Sequence, residues 1–330
     1  MAAYIPTTFR AFEYVEHGAT QDKLILNNAT PQEPLTSTQV RIQVHSAAVN
    51  PVDWKVLEWS GAMFGLPLPT KEKPFGIGFD AAGVIVEVGA DAKTLKVGDE
   101  VYTMMPLNRF GSIREYLTVE EKFVAPKPAN ISFNEAASLP LAGLTSWHAL
   151  TVYAKLQKDE RVLILGGSSG TGTIGIQIAK ALGAHVITTT SARNTELVKS
   201  LGADEVIDYT SQKWANVIEA NSIDVVYDCG MEPASWNTDA QCVLKHNTGR
   251  FVTIMPVSES IIESPIGAKL HSILNEASSE GLRQIKDFVE KKQVVPVVDS
   301  VFPFEQTVDA FLKLKENRTR GKIVIQITKE

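Results

Sequence analysis

Cysteine is nearly absent from this 330-residue chain, with Cys229 and Cys242 the only two. Two are too few for a disulfide framework or a cysteine-built metal site, and they suit a reducing compartment. No uninterrupted apolar run is long enough to cross a bilayer, so no membrane-spanning helix is expected. The start, Met1-Ala2-Ala3-Tyr4-Ile5-Pro6, lacks the basic-then-apolar layout of a secretory signal. It also lacks the Arg- and Ser-rich character of a transit peptide, and a cytoplasmic protein is expected. Basic residues are not in excess: 32 Lys and Arg against 38 Asp and Glu leave a net charge of −6. Nothing global therefore recruits nucleic acid or an anionic membrane, although net charge is silent about local clusters. Internal repeats and low-complexity segments are missing as well. What remains is an ordinary globular composition, 44% apolar and 21% charged, in a chain long enough for two cores.

The first third reads as β-rich, with short apolar or alternating runs at 9–15, 40–49, 83–88 and 100–103. Turn residues such as His17-Gly18, Asn27-Asn28 and Val97-Gly98-Asp99 separate them. Glycine and proline cluster between Gly61 and Gly78, which predicts a long loop. Beyond Pro126-Lys127-Pro128 the style changes to strands alternating with helical patterns. Strand-like runs at 161–165, 185–189, 206–207, 224–227 and 250–254 alternate with helical spacing at 174–182 and 195–201. Such alternation implies βαβ units and a parallel sheet. A helix over 280–292, a strand over 294–302, a helix over 304–315 and a strand over 322–328 complete the chain.

The strongest local signal is Val162-Leu163-Ile164-Leu165-Gly166-Gly167-Ser168-Ser169-Gly170-Thr171-Gly172-Thr173-Ile174-Gly175. A buried strand enters a glycine-rich turn that opens an apolar helix. That order suits phosphate, because a helix N-terminus offers unpaired N–H groups and the positive end of a dipole. Small residues also let a pyrophosphate approach the backbone. Ser169 stands where the second glycine of GxGxxG usually sits. Ser168, Ser169, Gly170, Thr171 and Gly172 are the predicted phosphate contacts. NAD-binding proteins place an acid about 20 residues on, at the end of the next strand. Here that strand ends Thr188-Thr189-Thr190-Ser191-Ala192-Arg193-Asn194, with no acid before Glu196. A hydroxyl and a guanidinium suit a ribose 2′-phosphate, so NADPH is predicted, with Ser191 and Arg193 as its readers. The competing reading has Arg193 serving only the next helix. Tyr209 is either a support for the adenosine side or a surface aromatic.

Further landmarks are Ala48-Val49-Asn50-Pro51-Val52-Asp53-Trp54-Lys55, Gly78-Phe79-Asp80-Ala81-Ala82-Gly83 and Val97-Gly98-Asp99-Glu100-Val101-Tyr102. Gly143-Leu144-Thr145-Ser146-Trp147, Leu201-Gly202-Ala203-Asp204 and the terminal Arg320-Gly321-Lys322-Ile323-Val324 complete the set. Together they resemble the zinc-independent quinone oxidoreductase (zeta-crystallin-like) branch of the medium-chain dehydrogenase/reductase superfamily, over nearly the whole chain. The resemblance implies an α/β protein with a GroES-like β-rich catalytic domain over 1–126 and 279–330. Inserted between these parts, over 127–278, it implies a Rossmann domain with a doubly wound parallel sheet, and an active site in the inter-domain cleft.

Zinc relatives in this superfamily hold catalytic zinc at positions that align with Asn50, Phe79 and roughly Leu141, and phenylalanine and leucine cannot bind a metal. The expectation is therefore no zinc, and a hydride acceptor that needs no Lewis acid: a quinone, or another small conjugated carbonyl compound. Asn50 is the candidate polar group beside the nicotinamide, donating to a developing oxyanion, or else it closes the turn before Pro51. Asp53 and Lys55 are candidates for orienting water or donating a proton, against a solvated or paired role. Thr145, expected at the start of a helix linking the domains, either meets the nicotinamide phosphate or caps that helix. Cys229 and Ile254, at strand ends, would offer main-chain groups to the nicotinamide, and Arg320 and Lys322 would reach the cofactor or form a solvated basic tail. An aromatic loop with Trp54, Trp59, Met63, Phe64 and Phe75 would line the mouth of the site or pack the core.

The resemblance also implies a homodimer through Rossmann edge strands near residues 270–276, with Leu270, His271, Leu274 and Glu276 among them. Three functions stand at this level: NADPH-dependent quinone reduction, reduction of alkenals, enones or enoyl thioesters, and an RNA-binding or structural role. No Arg/Lys stripe interleaved with aromatics supports RNA.

Overall fold

The alternating and β-branched runs of the first third form sheet, and the strand-turn-helix pattern of the middle forms a parallel sheet. The computed structural model describes residues 5–59, 65–255, 261–273 and 275–328. Met63, Phe64 and Leu274, used in the sequence reading, lie outside the described residues. Two compact units emerge: Met1–Leu141 with Glu276–Asp287 and Pro296–Glu330, and Ala142–Asn275 with Phe288–Val295.

In the first unit a seven-stranded sheet runs Val298–Pro303, Lys322–Gln326, Gln39–Val49, Asp80–Val88, Glu100–Met104 and Val124–Pro126, with Tyr116–Glu120 also paired to Gln39–Val49. Every pairing is antiparallel except that of Val298–Pro303 with Lys322–Gln326. A three-stranded sheet places Thr8–Tyr14 between Ile25–Pro31 and Phe75–Gly76. Ile42, Ile85, Leu117, Phe304 and Phe311 pack the core between them. Truncating such a phenylalanine to alanine costs about 3–5 kcal/mol.

Two differences from the sequence reading matter here. The aromatic segment from Trp54 does not begin as a loop, because Pro51–Trp59 is a helix. Proline is preset for the first helical turn, where its missing N–H is no loss, and Asp53 ties that turn back to the Asn50 N–H. Of the two roles open to Phe75, mouth or core, it takes the core: it is 2% exposed and its ring lies 5.8 Å from that of Tyr14. The boundary between units falls at 141/142, not at 126/127. After Pro126 the chain is still held to the first unit. Lys127 donates to the Ile131 carbonyl (2.6 Å), a Ser132/Glu135 capping box starts the helix Phe133–Ala137, and the His45 ring stacks on Phe133 (4.3 Å).

In the second unit six parallel strands lie in the order Glu205–Asp208, His185–Thr190, Arg161–Leu165, Val225–Asp228, Arg250–Thr253 and Lys269–Ser272. By position in sequence this is 3-2-1-4-5-6, the doubly wound order that leaves a crevice at the carboxyl end of the first strand. Leu163, Leu165, Ile187, Val226 and Phe251 are buried within it. Phe288–Val295 joins this unit through Gln177, whose amide exchanges hydrogen bonds with the Val295 N–H (2.8 Å) and carbonyl (3.0 Å). Among the described residues no helix is long and apolar enough to cross a membrane.

Candidate active site

Sheet register gathers the polar centre of the first unit. Val49 pairs with Ile323 and Ala48 with Asp80, so Asn50, Asp80 and Lys322 meet although Asn50 and Lys322 are 272 residues apart. All three are buried. Asn50 Nδ2 donates to Asp80 Oδ2 at 2.9 Å. Lys322 Nζ donates to Asn50 Oδ1, to Asp80 Oδ2 (3.2 Å) and to the Val49 carbonyl (3.1 Å). The other Asp80 oxygen accepts the Leu141 N–H at 2.7 Å. Burial raises the Asp80 carboxyl above its usual range despite the pull of Lys322 and Asn50 in the other direction.

Asp53 adjoins this network. Its Oδ2 accepts the Asn50 N–H at 2.6 Å, while its buried Oδ1 has no hydrogen-bond partner among the described residues. Burial, reinforced by the nearby Asp80 charge, raises its carboxyl well above the ordinary value. Asp53, Tyr14, Gly78 and Phe79 line a pocket of about 20 Å³. That is room for about one water.

The other candidates of this unit lie apart. The Lys55 ammonium sits over the rings of Trp54 (5.9 Å) and Trp59 (5.3 Å), and burial lowers its pKa. Arg320 is exposed and its N–H donates to Asp299 (3.1 Å), whereas Lys322, two residues on, is inside the network. Sequence reasoning missed Asp80, which had appeared only within a motif, and read Lys322 as a cofactor contact or tail residue. Of the positions aligned with metal ligands, Asn50 is bound to an ammonium, Phe79 lines the small pocket and Leu141 contributes a backbone N–H. Among the described residues no group of three or more His, Cys, Asp or Glu could hold a metal ion.

In the second unit the glycine turn has the shape its sequence predicts. Gly166 takes φ +76°, and a Cβ on Gly172 would lie 2.3 Å from the Gly166 carbonyl oxygen. Ser169 is the N-cap of the helix Gly170–Ala181, its hydroxyl accepting the Gly172 N–H at 3.0 Å. The Gly170 and Thr171 N–H groups, in the first turn, have no protein acceptor among the described residues. Ser168 accepts from Thr190 and from Asn194, each at 3.0 Å. Asn194, 3% exposed and missed from sequence, thus ties the glycine turn to the turn that carries Ser191 and Arg193.

Ser191 and exposed Arg193 follow the strand His185–Thr190, and Tyr209, 59% exposed, follows Glu205–Asp208 next to it. Asp208 was not anticipated here; hydrogen bonds from Thr210, and one from the Ala192 N–H, hold its carboxyl below the usual range. Cys229 is buried, its thiol donating to the Leu165 carbonyl at 3.0 Å, and burial pushes its pKa up, so it is a neutral packing group. The Ile254 N–H donates to the Asp228 carbonyl at 3.3 Å. Thr145 is not at a helix start: it lies inside the helix Pro140–Trp147, where its hydroxyl accepts from Asn275 at 2.8 Å. A capping role is therefore ruled out by position.

Residues 36–129 match the alcohol dehydrogenase GroES-like domain, and residues 201–325 match the zinc-binding dehydrogenase family. The chain is 36% identical over 331 residues to the 2-methylene-furan-3-one reductase of Solanum lycopersicum, an alignment covering 97% of this chain and 80% of that protein. It is 35% identical to the chloroplastic NADPH-dependent alkenal/one oxidoreductase of Arabidopsis thaliana, over 98% of this chain and 81% of that one. Among solved structures, the quinone oxidoreductase from Coxiella burnetii superposes with a TM-score of 0.83 at 26% identity, over 97% of this chain and 99% of that one.

Proposed function

The chain belongs to the quinone oxidoreductase branch of the medium-chain dehydrogenase/reductase superfamily and is an NAD(P)H oxidoreductase; from that premise we propose that it uses NADPH to reduce a quinone or another small conjugated carbonyl without a metal ion. One observation carries the reading. The Lys322 ammonium is hydrogen-bonded to Asn50 and Asp80, at the place where the superfamily's zinc enzymes have a metal ligand. A zinc ion there would meet a bound ammonium, one amide and one carboxylate, Asp80, already held by that ammonium, with no His or Cys, so these residues do not supply the three ligands a catalytic zinc needs. Quinones and α,β-unsaturated carbonyls take a hydride without a Lewis acid, because the added electrons delocalise onto oxygen.

Bound NADPH supplies the hydride. The Asn50 oxygen is engaged by Lys322 and one amide hydrogen by Asp80, which fixes the amide as a donor with one hydrogen left. That hydrogen suits an acceptor oxygen on which negative charge develops. Asp53, its carboxyl raised by burial and lining a water-sized pocket, is the proton reserve beside it. The Gly170 and Thr171 N–H groups, with Ser168 and Gly172, serve the pyrophosphate, and Ser191 and Arg193 serve the 2′-phosphate. Tyr209 supports the adenosine side, Cys229, Ile254 and Thr145 border the nicotinamide half, and Arg320 reaches the cofactor from the surface. Pairing of the Lys269–Ser272 edge strand with a second copy would make the homodimer, and light scattering at working concentration tests it.

The two relatives named as reductases of a furanone and of alkenals and enones favour the enone as an equally apt acceptor, with the same chemistry at Asn50. Loss of NADPH absorbance with quinones, enones and a simple ketone, run beside NADH, tests the proposal. Oxidation with conjugated acceptors but not the ketone, and with NADPH ahead of NADH, is expected. Silence across the panel despite NADPH binding would overturn it.

A further inference from the structure

The first unit carries a second pocket that shares no residue with the Asn50 network. It has a volume of about 190 Å³ and its walls include Phe9, Gln32, Glu33, Phe110, Arg114 and Tyr116. For scale, an apolar cavity of roughly 150 Å³ accepts a benzene ring.

Arg114 sets the chemistry. Its side chain is 6% exposed, yet its guanidinium donates no hydrogen bond among the described residues, and the acid it pairs with, Glu13, is 3.9 Å away. Glu13 already accepts from Asn27 (2.9 Å) and Thr30 (3.0 Å). Burial pushes the Arg114 pKa down to about 10 against the pull of the Glu13 and Glu33 charges, and the guanidinium lies over the Phe9 ring at 5.5 Å, so it is attracted from three sides but hydrogen-bonded from none among the described residues. The arginines around it are engaged elsewhere: Arg41 with Glu87 (2.8 Å), Gln32 and Thr118 (3.2 Å), and Arg109 with Glu33 (3.2 Å). Gln32 adds a second unmet donor, since its oxygen accepts from Arg41 while its buried Nε2 has no partner among the described residues. The Tyr116 hydroxyl likewise makes no hydrogen bond among the described residues, and its ring stands edge-on to Phe9 at 5.9 Å.

We propose that this pocket binds a small aromatic carboxylate, its ring against Phe9, Phe110 and Tyr116 and its carboxylate on Arg114 and Gln32 Nε2. Donors without acceptors on an apolar wall call for a planar acceptor, and the forked guanidinium matches a carboxylate in both charge and geometry. Benzoate titrated calorimetrically into the full chain tests this, with benzamide as the neutral isostere and Arg114→Met and Gln32→Leu as variants. One saturable site for benzoate is expected, weakened at least about tenfold for benzamide and in Arg114→Met. Gln32 is only partly buried, so Gln32→Leu keeps the test alive if the arginine variant fails to fold, and it should weaken benzoate several-fold while the chain stays folded, with some loss of melting temperature because Arg41 loses an acceptor. Absence of saturable benzoate binding, or binding unchanged in a folded variant, overturns the proposal and leaves a water-filled pocket.

Discussion

Burial of the Lys322 ammonium is tolerable because Asp80, Asn50 and the Val49 carbonyl share it. Removing it leaves the Asp80 charge unpaired in a dry site, a loss of about 3–5 kcal/mol. Lys322→Met should lower stability on that scale in urea unfolding and cut kcat for a quinone more than it raises KM for NADPH; unchanged kcat would contradict the positioning of Asn50. Asp53 gives a pH signature. Its folded pKa lies above its unfolded one, so its contribution to stability is complete below the unfolded value and is lost as pH rises toward the folded value. Asp53→Asn, neutral throughout, should flatten the fall in melting temperature as pH rises above the ordinary aspartate pKa of about 3.9. Parallel curves for the two proteins would contradict a buried Asp53 with a raised pKa. Arg193→Ala should raise KM for NADPH by about tenfold and leave NADH unaffected, as expected for loss of a charge-assisted contact. At this scale the sequence was partly legible. Ser191 and Arg193 follow a strand end that periodicity locates, but Asp80 and Lys322 acquire meaning only through long-range register, which no local pattern encodes.

Among the elements, the turn 166–172 was the most legible, because its geometry is local: strand, small residues, helix. Its tightness is measurable, with a Cβ on Gly172 only 2.3 Å from the Gly166 carbonyl oxygen. Gly172→Ala should force the turn open and abolish NADPH binding in a fluorescence titration while the six-stranded sheet still folds; wild-type affinity would show that the turn does not hold the cofactor. Helix Pro51–Trp59 was missed for the opposite reason. Its start rests on Pro51 and on the Asp53 carboxyl, which accepts the Asn50 N–H, and the glycines and prolines after it masked so short a helix. Thr145 was misplaced within its helix because nothing in Gly143-Leu144-Thr145 marks a start, while the helix begins at Pro140.

For the whole molecule, the change from β-rich to βαβ patterning along the chain predicted two units, and the resemblance added that both ends build one of them. The dividing residue was less legible. Composition changes at Pro126, but the chain follows the contacts of Lys127, Phe133 and Leu141 before it leaves the first unit. Lys322 pairs with groups 242 and 272 residues earlier, so the polar centre exists only once the two chain ends share a sheet. The metal-free reduction proposed above depends on that arrangement and is tested most directly by the zinc content of protein that is turning over. Purified chain treated with a chelator would be assayed with NADPH and a quinone, and the same sample analysed for bound metal. Catalysis by the Asn50–Lys322 centre predicts full turnover with zinc far below one ion per chain. Turnover that is lost with the zinc and returns only when zinc is restored would contradict it.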